Sequence, residues 1–429
     1  MSAAAHNSLG LYLSIPFCRS KCTYCNFASG VYPASEHARY VDRLIADMAA
    51  APQWATGMDV DLPRTVDTVY LGGGTPSVLS GPDMARLFAA MCTHFRLTPD
   101  AEITVECAPG QISDETLAAL AASGVNRVSL GVQSFIDKEA ASSGRLHTRA
   151  IVLNDLARLR AAGISNINLD LLAGLAGQTL ASWQESLAVL TEAGTPHASV
   201  YMLEIDEDSR LGRELLSGGA RYHADLVPSD DTIAGFYETA LETLAANGLH
   251  QYEISNFART SAAISPDQDP TFASRHNLRY WQRLPYLGLG LDASSMLLAA
   301  DGTALRATTT SDLAAYLEGP PANFDPEHPG TPETGWLSPT QQLEEAWFLG
   351  LRRNAGVDIA ALRREFGPAA VAPAEPILHR LAQDGLLTLD GNRVRLTDCG
   401  RLLSNDAFAE FLGLSAHVEA DRPPFQTTA

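Results

Sequence analysis

The chain has 429 residues, 46% of them hydrophobic, so it is long enough for two or three domains with substantial cores. Its 30 Lys and Arg against 50 Asp and Glu give a net charge of −20, which disfavours nucleic acid or an anionic membrane as partner. The sequence shows neither a membrane-spanning apolar run nor a signal peptide, and its six cysteines are too few for a disulfide scaffold. These features predict a soluble cytoplasmic protein.

In chain order, strand-like runs alternate with amphipathic helices through the first half of the sequence. The predicted strands are Leu9–Ile15, Val66–Leu71, Ile103–Glu106, Val128–Val132, Ile167–Leu172 and Ala198–Leu203. Six strand–helix units predict a parallel sheet with right-handed crossovers, which we interpret as an α/β partial (β/α)6 barrel. On such a barrel, reactive groups lie where the strands end, at their C-terminal edge.

The second half predicts an extension of the barrel and a separate C-terminal domain. Residues 258–274 have the Ser, Ala, Asp and Pro content of a mobile insertion. Helical patterns near the C-terminus end in a hairpin-like Leu386–Leu396 with Asp390-Gly391 at its turn, a winged-helix-like α+β pattern. Acidic residues are as frequent as arginines there, so partner docking or a structural role is expected rather than DNA binding. The predicted parts are a barrel (1–205), its extension (206–318), a Pro-rich linker (319–339), the C-terminal domain (340–414) and a tail (415–429).

Three cysteines, Cys18, Cys22 and Cys25, follow the first strand at C-x3-C-x2-C spacing. Thiolates this close on one loop can ligate one face of an iron–sulfur cube, because such clusters need soft sulfur donors close together. With no fourth cysteine nearby, one iron would keep an open position for another ligand. A structural zinc site and a redox thiol pair are the alternatives, although zinc prefers four protein ligands and a redox pair needs two cysteines.

Further polar and glycine residues follow the other predicted strands. The turn Gly73-Gly74-Thr75 lets the backbone approach a ligand with no side chain in the way, unless it is an ordinary turn between a strand and a helix. Carboxylates suit ammonium and hydroxyl groups of a ligand, and an arginine suits a carboxylate. The alternative is that these are solvated loop residues. The polar residues are Glu106, Gln133, Arg145 and Asp170.

The cysteine triplet, with an aromatic residue before its last cysteine (Tyr24-Cys25), resembles the radical S-adenosylmethionine (SAM) superfamily. This resemblance implies a [4Fe-4S] cluster whose open iron chelates the amino and carboxylate groups of SAM. Motifs from about residue 9 to about 410 are similar to the oxygen-independent coproporphyrinogen III oxidase group. They are Val105-Glu106 before Pro109-Gly110, and the segments 131–135, 144–148, 168–171 and 252–257. The implied SAM contacts are Tyr12, Tyr24, Phe27, Gly73, Gly74, Thr75, Glu106, Gln133, Arg145 and Asp170.

Three features are more similar to the HemW-type heme chaperones of this group than to its oxidases. Phe27 stands where the oxidases have a further cysteine, and the cluster motif lies close to the N-terminus. The segment from His276 to Tyr280 (HNLRY) is similar to the HNxxY signature tied to heme binding in that subgroup. On a helix the two residues share a face, and both side chains are competent iron ligands. The alternative is a core histidine with the tyrosine packed beside it.

The resemblance therefore implies a heme chaperone that binds a cluster, SAM and heme and passes heme to acceptor hemoproteins. An electron donor such as flavodoxin or ferredoxin is also implied. SAM cleavage is compatible with this role, but coproporphyrinogen oxidation is not expected. The alternatives are an oxygen-independent coproporphyrinogen III dehydrogenase and a HemN-like methyltransferase or cyclopropanase that uses two SAM molecules. One departure from the group is Cys107-Ala108 in place of its usual alanine–asparagine, which brings a thiol next to Glu106.

Overall fold

The computed structural model describes residues 7–261, 267–321 and 333–414. The strands are β1 (Leu9–Ile15), β2 (Thr65–Gly73), β3 (Arg96–Cys107), β4 (Arg127–Gln133), β5 (Asn166–Ala173), β6 (His197–Met202), β7 (His250–Glu253), β8 (Asn256–Ala258), β9 (Tyr286–Leu289), β10 (Ser294–Leu298), β11 (Ala304–Thr308), β12 (Glu333–Trp336), β13 (Val357–Asp358), β14 (Leu387–Asp390) and β15 (Arg393–Leu396).

The helices of the barrel and its extension are α1 (Ala34–Gly57), α2 (Gly81–His94), α3 (Asp114–Ala122), α4 (Asp137–Ser142), α5 (Arg149–Ala161), α6 (Leu180–Ala193), α7 (Arg210–Ser217), α8 (Asp230–Ala246), α9 (Arg275–Trp281) and α10 (Leu313–Glu318). Those of the C-terminal domain are α11 (Pro339–Arg352), α12 (Ile359–Phe366), α13 (Pro368–Val371), α14 (Glu375–Gln383), α15 (Asp398–Leu402) and α16 (Ser404–Ala409).

The described strands form one large sheet in the order β12-β11-β10-β9-β1-β2-β3-β4-β5-β6-β8-β7. From β1 to β6, each strand pairs in parallel with the next, and helices connect them. This confirms the predicted partial (β/α)6 barrel. Because every strand runs the same way, their C-terminal ends meet at one edge, and the loops that follow them are brought together there.

The local sequence explains these elements. Strand β1 is buried on both faces, as its nearly continuous apolar run requires in a parallel sheet covered by helices. Several crossover helices begin at a Ser or Thr whose side-chain oxygen accepts a backbone hydrogen bond, which stabilises the first turn. Such caps are Ser80, Ser113, Thr148 and Thr179. Apolar residues of the helices and strands then form one continuous core that includes the fully buried Trp183.

Beyond the six parallel strands, both edges of the sheet are extended. Strand β9 pairs in parallel with β1, and β10, β11 and β12 continue that edge in antiparallel order. Residues 333–336 thus form a strand, although the sequence assigns them to the Pro-rich linker. Their β-prone Thr334 and Trp336 pair with β11 instead. The remaining central part of the predicted linker (322–332) and the predicted tail lie outside the described residues.

The C-terminal domain has a three-stranded antiparallel sheet and a core of its own, in which Trp347 stacks on Phe411. This arrangement is the predicted α+β pattern. The hairpin turn differs by one residue, because Asp390 pairs with Arg393 and leaves Gly391-Asn392 as the two-residue loop. Within the described part of the chain, no helix is both long and apolar enough to cross a bilayer.

Candidate functional site

A cavity of about 530 Å³ opens at the C-terminal edge of the parallel strands. Its wall brings together most of the residues that the sequence singled out. They are Cys18, Cys22, Tyr24, Cys25, Phe27, Gly73, Gly74, Thr75, Glu106, Gln133, Arg145 and Asp170. Residues from five different strand ends and their loops therefore share one space large enough for a cofactor.

The cysteine loop is held in place by hydrogen bonds to its surroundings. The amide of Cys18 donates to the carbonyl of Gly30 at 2.9 Å, and the ammonium group of Lys21 donates to the carbonyls of Phe27 and Ser29, both at 3.0 Å. The hydroxyl of Thr75, at the end of β2, lies 3.7 Å from Sγ of Cys18. The loop that carries the three half-buried thiols is therefore fixed to itself and to the glycine turn.

The glycine turn after β2 packs directly against the start of the cysteine loop. The amide of Gly74 donates to the carbonyl of Ile15 and the amide of Thr75 to that of Phe17, both at 2.8 Å. A Cβ atom at position 74 would lie 2.8 Å from each of these carbonyl oxygens, and Gly73 has a φ of +99°. Both positions therefore require glycine, for the close approach and for the left-handed backbone respectively.

Two partly buried carboxylates, Glu106 and Asp170, line the cavity. Glu106 accepts a hydrogen bond of 2.7 Å from the hydroxyl group of Tyr70, and burial raises the pKa of Glu106 to about 7. Burial also raises the pKa of Asp170, against the effect of hydrogen bonds that include those from Asn168 and Ser129. A cationic ligand in this cavity would compensate the burial of both carboxylates.

Arg145 contributes a partly buried positive charge to the cavity wall. One of its terminal nitrogens donates to the hydroxyl of Tyr24 at 3.0 Å, whereas its Nε is buried without a hydrogen-bond partner in the described structure. Gln133, the last residue of β4, has a φ of +68°, a strained conformation for a residue with a side chain. An unsatisfied guanidinium nitrogen and a strained strand end at one cavity are typical of a ligand-binding site.

Tyr12 is the one predicted SAM contact that does not line the cavity. The ring of Tyr12 lies 6.2 Å from that of Tyr70 and 6.4 Å from that of His276. Sequence reasoning also missed Ser129 and Tyr201 of the cavity wall and Tyr70, which donates to Glu106, because each lies inside a strand, where such side chains are typical of packing. The inward-facing position of Tyr70, two residues before Gly72, was the available signal.

No residue of the HNLRY segment lines the cavity, although His276 packs against Tyr70, the partner of Glu106. His276 is fully buried in α9, with Nδ1 2.9 Å from the hydroxyl of Thr68 and Nε2 2.8 Å from the hydroxyl of Tyr280. Arg279, on the same helix, forms a buried ion pair with Asp67. His276 and Tyr280 share one face, as expected, but that face points into the protein. In this conformation both imidazole nitrogens are engaged, and neither is accessible to a heme iron.

Comparison with known proteins gives this site its context. Residues 12–190 match the family model of the radical SAM superfamily, and residues 337–403 match that of the HemN C-terminal domain. The chain is 33% identical over 401 residues to the heme chaperone HemW of Lactococcus lactis, covering 94% of this chain and 96% of that protein. It is 30% identical over 407 residues to HemW of Escherichia coli, covering 94% and 98%. The chain belongs to the HemW family.

A solved structure of a related enzyme shows the same fold. Coproporphyrinogen III oxidase (HemN) from Escherichia coli aligns with a TM-score of 0.78 at 23% identity, covering 95% of this chain and 90% of that one. The partial barrel with its C-terminal domain is therefore an architecture that this HemW-family chain shares with HemN.

A [4Fe-4S] cluster and SAM are the cofactors of this superfamily, and the residues present fit both. Three thiols contribute to the wall of one cavity, and Arg145, Glu106 and Asp170 line the same space. Across residues 7–261, 267–321 and 333–414, no three His, Cys, Asp or Glu side chains converge on a single ion.

Proposed function

We propose that this protein is a heme chaperone of the HemW type, which binds heme and transfers it to acceptor hemoproteins. The observation that carries the proposal is the similarity to proteins named heme chaperone HemW over nearly the whole chain, cluster loop and α9 included. The exposed Phe27 agrees with it, because this position of the cluster loop carries no fourth thiol.

In this proposal Cys18, Cys22 and Cys25 hold the cluster, and the cavity residues hold SAM. The backbone of Gly73 and Gly74 lets the methionyl end approach, while Glu106 pairs with its ammonium group. Arg145 then pairs with the carboxylate and Asp170 with the ribose hydroxyl groups. Thr75, Gln133, Tyr24 and Phe27 complete the wall, and the ring of Tyr12 lies beside that of Tyr70. The cluster would supply one-electron chemistry at the sulfonium group of SAM.

Heme is proposed to bind at α9 through His276 or Tyr280. Since both nitrogens of His276 are engaged, ligation requires α9 to shift and break the bond between the two side chains. The helix has seven residues, and the contacts that such a shift must break include the ion pair of Arg279 with Asp67 and the bond from the amide of His276 to Glu102. Burial lowers the pKa of His276 to about 3, so the imidazole stays neutral, which is the form that binds iron.

Two further partners belong to the proposal. An electron donor such as flavodoxin or ferredoxin would reduce the cluster, and the exposed Phe27 and Val31 of the cluster loop offer an apolar surface for its contact. The acceptor of heme would be a hemoprotein. A cytoplasmic location, expected from the cysteine chemistry, belongs to the same proposal.

The test is an anaerobic heme titration of the reconstituted protein, followed by its Soret band. Wild type is expected to bind heme, and His276→Ala or Tyr280→Phe to weaken binding about tenfold or more, because each removes a candidate iron ligand. His379→Ala, at an exposed histidine of the C-terminal domain, is the matched control and should bind like wild type.

An unchanged Soret band with wild type would contradict the proposal. Equal heme binding by both variants would place heme elsewhere on the chain. Incubation with coproporphyrinogen III, SAM and dithionite distinguishes the catalytic alternative, since formation of protoporphyrinogen would identify an oxidase instead.

A further inference from the structure

A buried chain of hydrogen bonds runs from Asp170 in the cavity to the helix that carries His276. The side-chain amide of Asn168 donates to Asp170 at 2.6 Å, and its carbonyl oxygen lies 2.6 Å from Nδ1 of His197. Nε2 of His197 lies 2.8 Å from the hydroxyl of Tyr252, and this hydroxyl accepts a bond of 3.0 Å from the amide of Ser274. Ser274 is the N-cap of α9.

One arrangement of protons satisfies every member of this chain. The amide oxygen of Asn168 can only accept, so Nδ1 of His197 carries the proton and donates to it. Nε2 then accepts from the Tyr252 hydroxyl, whose oxygen is left to accept from the Ser274 amide. All four bonds therefore point the same way, towards the carboxylate of Asp170. His197, Tyr252 and Ser274 are each buried, so water does not compete with these bonds.

The chain accounts for the motif Tyr252–Phe257, which the SAM and cluster sites leave unexplained. Tyr252 is a member of the chain itself. Two other motif residues, Asn256 and Glu253, belong to a branch that leaves the chain at Asn168. Asn168 donates to Ser199 at 2.9 Å, Ser199 donates to Asn256 at 2.7 Å, and Asn256 donates to Glu253. This branch ends at the C-terminal domain, because Nε of Arg352 in α11 donates to the buried carboxylate of Glu253 at 3.0 Å.

We infer that Tyr252 and His197 are positioning residues that link occupancy of the SAM site to the placement of α9. The inference rests on the proposed role of Asp170 in binding SAM. A ligand hydroxyl group that pairs with Asp170 changes the acceptor at the end of the chain. Buried hydrogen bonds polarise one another, and breaking one of them is costly. A change at Asp170 therefore alters the strength of the hydrogen bond from the Ser274 amide, and with it the stability of the first turn of α9. SAM therefore tightens the start of the helix that must shift for heme.

Amide hydrogen exchange of the reconstituted full-length protein tests this link without heme. In wild type, saturating SAM should slow exchange of a peptide covering residues 272–281 about fivefold or more, the lower range of coupling between distinct sites. Tyr252→Phe keeps the ring but breaks the chain, so it should lose this protection. His197→Leu breaks the chain at a second point and serves if the first variant folds poorly. Tyr237→Phe is the matched control and should respond like wild type, since its buried hydroxyl donates to Ile254 instead.

The outcomes separate the link from the function itself. SAM binding, measured by equilibrium dialysis, that leaves exchange of this peptide unchanged in wild type would overturn the inference and leave the proposed function standing. Equal protection in Tyr252→Phe and wild type would overturn it as well. Failure of SAM to bind would overturn the proposed SAM site together with the link.

Discussion

His276 and Tyr280 lie one helical turn apart in α9 and share a hydrogen bond of 2.8 Å between Nε2 and the phenol hydroxyl group. Two further aromatic rings pack against this pair. The ring centroid of Tyr70 lies 5.3 Å from that of His276, and the ring centroid of Tyr286 lies 4.6 Å from that of Tyr280. The two residues proposed for heme are thus each other's partners, and a heme iron must replace a bond that the protein already makes.

This buried histidine predicts a loss of stability in acid. Burial, with a contribution from Arg279, lowers the pKa of His276 to about 3 from its ordinary value of 6.5. The unfolded chain takes up the proton below pH 6.5 and the folded protein does not until about pH 3, so this contribution to stability is complete above pH 6.5 and declines as the pH falls between these values. At pH 5.5 the cost is about 1.4 kcal/mol.

Urea unfolding of the apoprotein at pH 7.0 and 5.5 measures this effect. His276→Asn should show a smaller difference between the two free energies of unfolding than wild type. His379→Asn, at the exposed histidine, should keep the wild-type difference. If His276→Asn and wild type had the same pH dependence, the pKa of His276 would be equal in the folded and unfolded states, which would contradict this prediction.

The three cluster cysteines are expected to be individually necessary for iron. Replacing Cys18, Cys22 or Cys25 by Ala should abolish the iron and sulfide bound after anaerobic reconstitution, because three ligands already leave one iron without a protein donor. Cys92→Ala and Cys399→Ala, at exposed cysteines in α2 and α15, are the matched controls and should retain the full content. Full retention of iron by any one of the three cluster variants would contradict the role assigned to that cysteine.

Glu106 should make SAM binding dependent on pH. Its pKa is raised to about 7 by burial, and the ionised form is the one that pairs with an ammonium group. Affinity is therefore expected to rise with pH through 7 and to fall about tenfold for each unit below it. Equilibrium dialysis of SAM between pH 6 and 8 tests this. Glu106→Gln should bind weakly and with a flat profile, whereas Glu238→Gln, at an exposed position of α8, should follow wild type.

Gly74→Ala should destabilise the glycine turn that is proposed to contact SAM. Its Cβ would lie 2.8 Å from two backbone carbonyl oxygens, which cannot move without displacing the end of β1 and the cysteine loop. The expected loss is about 1–3 kcal/mol of unfolding free energy, with lower SAM affinity. Gly235→Ala in α8 is the control, because no atom lies within 4 Å of its added Cβ, and it should stabilise the helix slightly. Wild-type stability of Gly74→Ala would refute the predicted clash.

A substitution at Phe27 should change SAM affinity without changing the stability of the fold. Its side chain is 63% exposed yet lines the cavity, so Phe27→Ala should leave the free energy of unfolding within about 0.5 kcal/mol. SAM affinity should fall about tenfold if the ring stacks on the adenine. Val31→Ala, equally exposed and outside the cavity wall, should bind SAM like wild type. Unchanged affinity in Phe27→Ala would remove this residue from the SAM site.

The sequence predicts the cavity well because its chemistry follows strand ends. Glu106 and Gln133 stand at or near the end of an apolar run, and parallel strands bring such positions to one edge without knowledge of distances. Asp170 was expected at a strand end too, but it lies inside β5 and reaches the cavity from there. Tyr70 escaped prediction because a tyrosine inside a strand is typical of packing, and its hydrogen bond to Glu106 depends on the register between β2 and β3.

The surroundings of α9 could not be predicted from sequence. The spacing of His276 and Tyr280 gives their common face on the helix, but not whether that face meets solvent or the barrel interior. This depends on Thr68, Asp67 and Glu102, more than 170 residues away in the chain, which bind the side chains or backbone of α9. Likewise, strand β12 forms because β11 offers it an edge, a partner that its own sequence does not reveal.

The ion pair of Glu253 with Arg352 has a consequence for inheritance. The carboxylate has no exposed surface, and its positive partner comes from the other side of the boundary with the C-terminal domain. A chimera that took the barrel and the C-terminal domain from different relatives would leave one charge unpaired unless it kept both Glu253 and Arg352. An unpaired buried charge costs several kcal/mol of stability. Recombination between such genes should therefore carry these two positions as a matched set.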